Sequence, residues 1–163
     1  MPTMSSAEFS PPLAVLITLR TYGTWLPGST RGWSHRPTRT FRNPDRRILL
    51  HSRSLMKWPP VHLDAEQRET LHVALRGLCA TRSWVLLADA VMTEHVHVVV
   101  RAEVAGPSLR TSIKTRLTMA LKVAGLFPKE RQLWCDYGSV KPLRSERAVT
   151  AACAYVERHH RRP

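Results

Sequence analysis

Two histidines stand one residue apart in "MTEHVHVVVRA" (residues 92–102), a stretch otherwise rich in valine. In an extended strand the side chains at i and i+2 share a face. Val96, Val98 and Val100 then form an apolar stripe, while His95 and His97 stand with Val99 on the opposite side. Neutral imidazole is the commonest nitrogen ligand for divalent transition metals, so a pair displayed on one face can begin a metal site. A histidine pair in a strand also occurs as plain structure, and the motif alone leaves both readings open.

The second half of such a site lies in "ERAVTAACAYVERHH" (146–160), which reads as a helix capped by Ser145. At helical spacing Ala148, Ala151, Tyr155 and His159 share one stripe, and Val149, Cys153, Val156 and His160 the adjoining one. Tyr155 and His159 are one turn apart, with small alanines that permit close approach to another surface. If that surface is the strand face bearing His95 and His97, three imidazoles and a phenol converge. Two ligands from a strand and one from a helix leave coordination positions open to substrate oxygens. A metal on a phosphate oxygen neutralises developing charge, and a neighbouring tyrosine can attack phosphorus to form a covalent phosphotyrosine. On its own, a helical tyrosine is more often a packing residue with a solvated hydroxyl.

The charge balance favours a phosphate-bearing partner. The 163 residues carry 25 Lys and Arg against 12 Asp and Glu, a net +13, with a pI near 11.0. That excess points to nucleic acid or an anionic membrane surface. No run approaches the ~18 apolar residues of a membrane span, and no basic amphipathic helix suits a bilayer surface. Much of the charge falls in one segment, residues 23–63. It contains Arg31, Arg36, Arg39, Arg42, Arg46, Arg47, Arg53 and Lys57 against a single acid, Asp45, with Trp25, Trp33, Phe41 and Trp58 interleaved. Cations mixed with aromatics suit single-stranded nucleic acid, where charge tracks the backbone and rings stack on bases. Arg31, Arg36, Arg39, Arg42 and Trp33, with Lys114 from a later helix, are the expected contacts. The plainer alternative is a solvated loop pinned down by its tryptophans.

Around these residues the elements are readable. "LAVLITLR" (13–20) is a buried strand, and 23–63 is an insertion with five prolines and no strand or helix pattern. A helix follows from Asp64, whose capping box is completed by Gln67. Strands at 84–92 and 95–101 form a hairpin through Thr93-Glu94. A helix at 107–125 runs from Pro107 to Gly125, an edge strand spans 137–143, and the last helix closes the chain. The order βαββαβ predicts an α+β, ferredoxin-like antiparallel sheet with a basic insertion and an added C-terminal helix, all in one domain over 1–163. Cys79, Cys135 and Cys153 form no C-x-x-C pair and no even set, which fits a reducing cytoplasm. The N-terminus lacks the pattern of a secretory signal. A cytoplasmic, nucleoid-associated location follows as an expectation.

The sequence resembles the HUH single-tyrosine transposases, which include the REP-associated tyrosine transposases. The resemblance rests on His95-Val96-His97 closing "VMTEHVHVVV", on Trp134 and then Tyr155 in "LWCDYGSVKPLRSERAVTAACAYVERHH", and on "TYGTWLPGSTRGW" (21–33). It covers roughly residues 13–160. It implies a ferredoxin-like core that nicks and rejoins single-stranded DNA, often beside a hairpin. Carried over, Tyr155 is the nucleophile that forms a 5′-phosphotyrosine, and His95 and His97 hold Mg²⁺ or Mn²⁺. The third ligand, commonly Gln or Asn one turn after the tyrosine, falls on His159. A third imidazole shifts preference from Mg²⁺ towards Mn²⁺ or Zn²⁺. Both a tyrosine acting in its own chain and one supplied across a homodimer are compatible with the resemblance. Two other readings compete: a non-catalytic single-stranded nucleic-acid-binding module on the same fold, and a basic interaction domain with a structural metal. The first lacks an aromatic run on its central strands, and the second lacks a fourth ligand.

Overall fold

The computed structural model describes residues 11–35 and 40–160. Four strands build its main sheet: β1 (Ala14–Thr21), β4 (Val85–Val91), β5 (His95–Arg101) and β6 (Trp134–Leu143), ordered β4-β5-β1-β6 with every neighbour antiparallel. Two helices, α2 (Ala65–Thr81) and α3 (Gly106–Val123), pack on one face, and α4 (Glu146–His160) lies on the other. This is the expected ferredoxin-like arrangement with its added helix.

The alternation of the central strands produces both layers. Val15, Ile17 and Leu19 of β1 join Val96, Val98 and Val100 of β5 in the larger core, against Leu71 and Leu75 of α2 and Ile113 and Leu117 of α3. The residues between them point the other way. Val99, with Ala14 and Ala90, packs on Val149, Ala152 and Val156 of α4. Fully burying a valine stabilises by about 1.5–3 kcal/mol, so this second cluster suffices to seat α4 on the sheet. Asp64 caps α2 through the reciprocal box with Gln67. Ser145 Oγ accepts the Ala148 N–H at 3.2 Å at the start of α4.

The insertion departs from the sequence expectation. It contains a short hairpin of β2 (Trp33–His35) and β3 (Thr40–Arg42), and a nine-residue helix α1 (Arg46–Ser54). Asp45 caps α1 by accepting the N–H groups of Arg47 and Ile48. Asn43-Pro44, in the stretch expected to hold no strand or helix pattern, is therefore the entry to a helix. β6 also starts earlier than expected, at Trp134. Four residues on β6 (134 to 138) span two on β1 (19 to 21), which makes a bulge over 135–137. Bulges leave backbone groups without ladder partners, and Lys114 of α3 fills that need. Its Nζ donates to the carbonyls of Cys135, Asp136 and Tyr137, at 2.6, 3.3 and 2.8 Å.

Candidate active site

Strand register sets the first residues of the site. Thr18 pairs across the ladder with His97, and Arg20 with His95. All four lie on the sheet face that α4 covers. Packing of Val149, Ala152 and Val156 against that face fixes the rotation of α4 and brings Tyr155 and His159 over the two strand histidines.

The rings form one cluster. His95 and His97 have centroids 4.7 Å apart, His97 and His159 5.0 Å, and His95 and His159 5.7 Å. Tyr155 lies 5.3 Å from His97 and 4.6 Å from His159. One nitrogen from each histidine lies within 4.8 Å of the other two. Metal–nitrogen bonds of about 2.1 Å place donors roughly 3–4 Å apart, so small side-chain adjustments close the group around an ion. Tyr155 keeps 40% of its surface exposed to solvent.

The donor chemistry fits a cation. His97 is 4% exposed, yet its Nε2 is buried without a hydrogen-bond partner, as is Nδ1 of His95. Each orphaned nitrogen costs about 1–3 kcal/mol unless something occupies it. His97 Nδ1 lies 2.9 Å from Thr18 Oγ1. In the tautomer that donates Nδ1–H to Thr18, Nε2 carries a free lone pair, the outer-shell arrangement that orients a ligating imidazole. Burial pushes His95 down to about 4, aided by Arg20 and His159 and opposed by Glu94. Burial, then His95, His159 and Arg20, push His97 down to about 3. Both imidazoles are therefore neutral at pH 7 and available as ligands. Three nitrogen donors favour Mn²⁺ or Zn²⁺ over Mg²⁺.

The expected nucleic-acid contacts fall in different places. Arg31 is exposed, with Nη2 3.4 Å from Glu94 Oε2, directly before His95. Arg42 is exposed on β3 and Trp33 half-buried on β2. Arg36 and Arg39 lie outside the described residues. Lys114, expected on a wet helix face, spends its donors on the β6 bulge.

Two residues of the site escaped the sequence reading. Thr18 appeared only as part of a buried strand. Arg20 appeared as that strand's end, but its guanidinium sits 4.6 Å from the Trp25 ring centroid and it acts electrostatically on His95 and Tyr155. Burial, then the like charge of Arg31, lower its own affinity for a proton. The alternation signal gave their face, but the pairing that puts them beside the histidines is a long-range register.

No protein-family profile matches the sequence, and no curated protein does. Solved structures do match by fold. A REP-associated tyrosine transposase bound to a REP hairpin superposes with a TM-score of 0.53 at 13% identity, over 95% of this chain and 70% of that one. A candidate transposase from Deinococcus radiodurans R1 superposes with a TM-score of 0.51 at 16% identity, over 97% of this chain and 98% of that one. The chain shares its fold with both. Among the described residues, no helix is long and apolar enough to cross a membrane.

Proposed function

We propose that this chain nicks and rejoins single-stranded DNA as a transposase, or a domesticated descendant of one, with Tyr155 as nucleophile. The observation that carries the reading is the convergence of Tyr155 with His95, His97 and His159, two of whose buried nitrogens lack any partner. The fold shared with two transposase structures, one of them captured on a REP hairpin, supports it, as does the net charge of +13.

In this reading His95, His97 and His159 would hold a divalent ion, Mn²⁺, Mg²⁺ or Zn²⁺, which would neutralise charge developing on the scissile phosphate and polarise phosphorus. Thr18 keeps His97 in the ligating tautomer. Tyr155 gives its proton to solvent, and its oxygen forms a bond to phosphorus. The bond from phosphorus to the 3′-oxygen of the preceding nucleotide breaks, and that oxygen takes up a proton. The products are a 5′-phosphotyrosine and a free 3′-hydroxyl, and the reverse attack rejoins a strand with no external energy source. Arg20, held against Trp25, supplies a fixed positive charge where the attacked phosphate gains negative charge.

A purely binding role on the sheet, as in ferredoxin-like RNA-binding modules, needs an open sheet face for stacked bases. Here α4 lies over the face that carries the histidines. The test is a denaturing-gel adduct assay with end-labelled, hairpin-rich single-stranded DNA. The reading predicts a shifted band that requires Mn²⁺ or Mg²⁺ and disappears in His97→Ala. Salt-sensitive binding with no band at any metal, on a pool shown to contain a bound sequence, would support the binding module instead.

A further inference from the structure

The insertion does more than carry charge. The loop following β1 and the segment around and after α1 line a half-open cavity of about 640 Å³, with Arg31, Arg53, Lys57 and Trp58 beside Ser29 and Thr30. That volume is in the range of small-ligand sites, ~300–1,000 Å³. No carboxylate lines it. A second large cavity, about 570 Å³, differs in this respect, because Asp89 and Glu157 line it beside His72 and Arg76.

The walls are interlocked. Gly23 has φ +75°, and a Cβ there would sit 2.2 Å from Met56 Cε. Gly28 has φ +83°, and a Cβ there would sit 2.3 Å from the Leu49 nitrogen and 2.4 Å from the Asp45 carbonyl oxygen. The two sides thus touch where only glycine fits. The far wall is tied to the body of the protein: Lys57 N–H donates to the Tyr22 hydroxyl at 3.1 Å, and Arg131 Nη2 to the Pro59 carbonyl at 2.7 Å. A preformed cavity of this kind spends little ordering entropy on its ligand.

We propose that this cavity is a binding pocket for one unpaired nucleotide of a single-stranded DNA substrate, with Trp58 stacking on the base and Arg53 and Lys57 on flanking phosphates. The inference rests on the single-stranded DNA reading above. Indole with surrounding cations is the combination that sequence-tolerant strand binding uses. The location commits the pocket to the same strand as the candidate active site. Arg31 lines the cavity and also pairs with Glu94, the residue before His95. The site therefore holds one base, whatever its identity, at a set distance from the nick, and Arg31 can exchange Glu94 for a phosphate as the strand docks.

The test is fluorescence anisotropy of the full chain with a labelled single-stranded random 12-mer, over a salt series. Trp58→Ala is expected to weaken binding about 5- to 100-fold, the loss of one stacked base, with an unchanged salt slope. Trp58→Phe should recover most of that loss. Arg53→Gln should instead reduce the salt slope by about 0.7, one phosphate contact on a single strand. Parent-like binding by folded Trp58→Ala overturns the pocket. Should Trp58→Ala fail to fold, photocrosslinking of the parent chain to iodouracil-substituted DNA decides: crosslinks at Trp58 support the pocket, and crosslinks only elsewhere refute it. The two readings fail separately. Stacking on Trp58 without covalent adducts removes the catalytic reading and leaves the pocket, whereas normal adducts and normal affinity in Trp58→Ala remove the pocket alone.

Discussion

Thr18→Val removes the hydrogen-bond partner of His97 in the proposed metal site without changing a proposed ligand. Valine matches threonine in shape and suits a strand, so β1 is preserved. The change removes only the Oγ1 that lies 2.9 Å from His97 Nδ1. His97 is 4% exposed, so water cannot replace the lost partner freely. Removing an outer-shell partner of a ligating histidine costs about 10–100-fold in metal affinity, or about 1.4–2.7 kcal/mol. The metal-free protein should also lose about 1 kcal/mol, because a buried Nδ1 is left unpaired, partly offset by the gain in apolar burial. Calorimetric titration of Mn²⁺ and Zn²⁺ into parent, Thr18→Val and Thr18→Ser measures the first effect with no DNA present. Thr18→Ser keeps the oxygen and should bind close to the parent. Equal metal affinity in parent and Thr18→Val would refute the assignment of His97 Nε2 as a ligand oriented by Thr18.

Arg20→Gln should slow single-turnover adduct formation by about 100- to 1,000-fold, the usual cost of one preorganised transition-state donor, with DNA affinity changed only a few-fold; equal slowing and weakening of binding would make it a binding residue. The depressed strand histidines give metal-free protein a signed acid sensitivity. Their folded values, about 4 for His95 and about 3 for His97, lie below the unfolded value of about 6.5, so the unfolded chain takes up protons first. Their contribution is complete above pH ~6.5 and is lost as pH falls from there through about 4 and then about 3. Thermal melts of the parent should show that decline, and His97→Gln should flatten it by at most ~1.4 kcal/mol per pH unit. Lys114→Met should destabilise by about 1.5–3 kcal/mol in a denaturant titration, having lost charged hydrogen bonds to three bulge carbonyls. Unchanged stability with a reduced salt slope for DNA would instead make Lys114 a phosphate contact.

The parts of the site that local pattern dictates were legible in the sequence. Alternation placed His95 and His97 opposite Val96 and Val98, and β5 covers the residues expected, His95–Arg101. Helical phase put Tyr155 and His159 on one stripe, and the capping box at Asp64 and Gln67 located the start of α2. What stayed hidden depends on distant partners. Thr18 and Arg20 gain meaning only from the register that sets them opposite His97 and His95. The task of Lys114 exists only because β6 bulges at 135–137. Asp45, the cap of α1, follows Pro44 in a basic, proline-bearing stretch, so its capping role was not apparent. None of α1's own residues is buried, and its apolar residues, Ile48, Leu49 and Leu50, are consecutive and do not recur at helical spacing within its nine residues.

The central claim, that Tyr155 attacks the phosphate, is tested most directly by locating the protein–DNA bond. The chain has three tyrosines. Tyr22 accepts the Lys57 N–H, while Tyr137 and Tyr155 are exposed at 56% and 40%. Proteolysis of the covalent adduct, nuclease trimming of the DNA and peptide sequencing by mass spectrometry identify the modified residue. The account predicts a nucleotide 5′-phosphate on Tyr155 and no adduct from Tyr155→Phe. A phosphate on Tyr137, or adducts persisting in Tyr155→Phe, would contradict it.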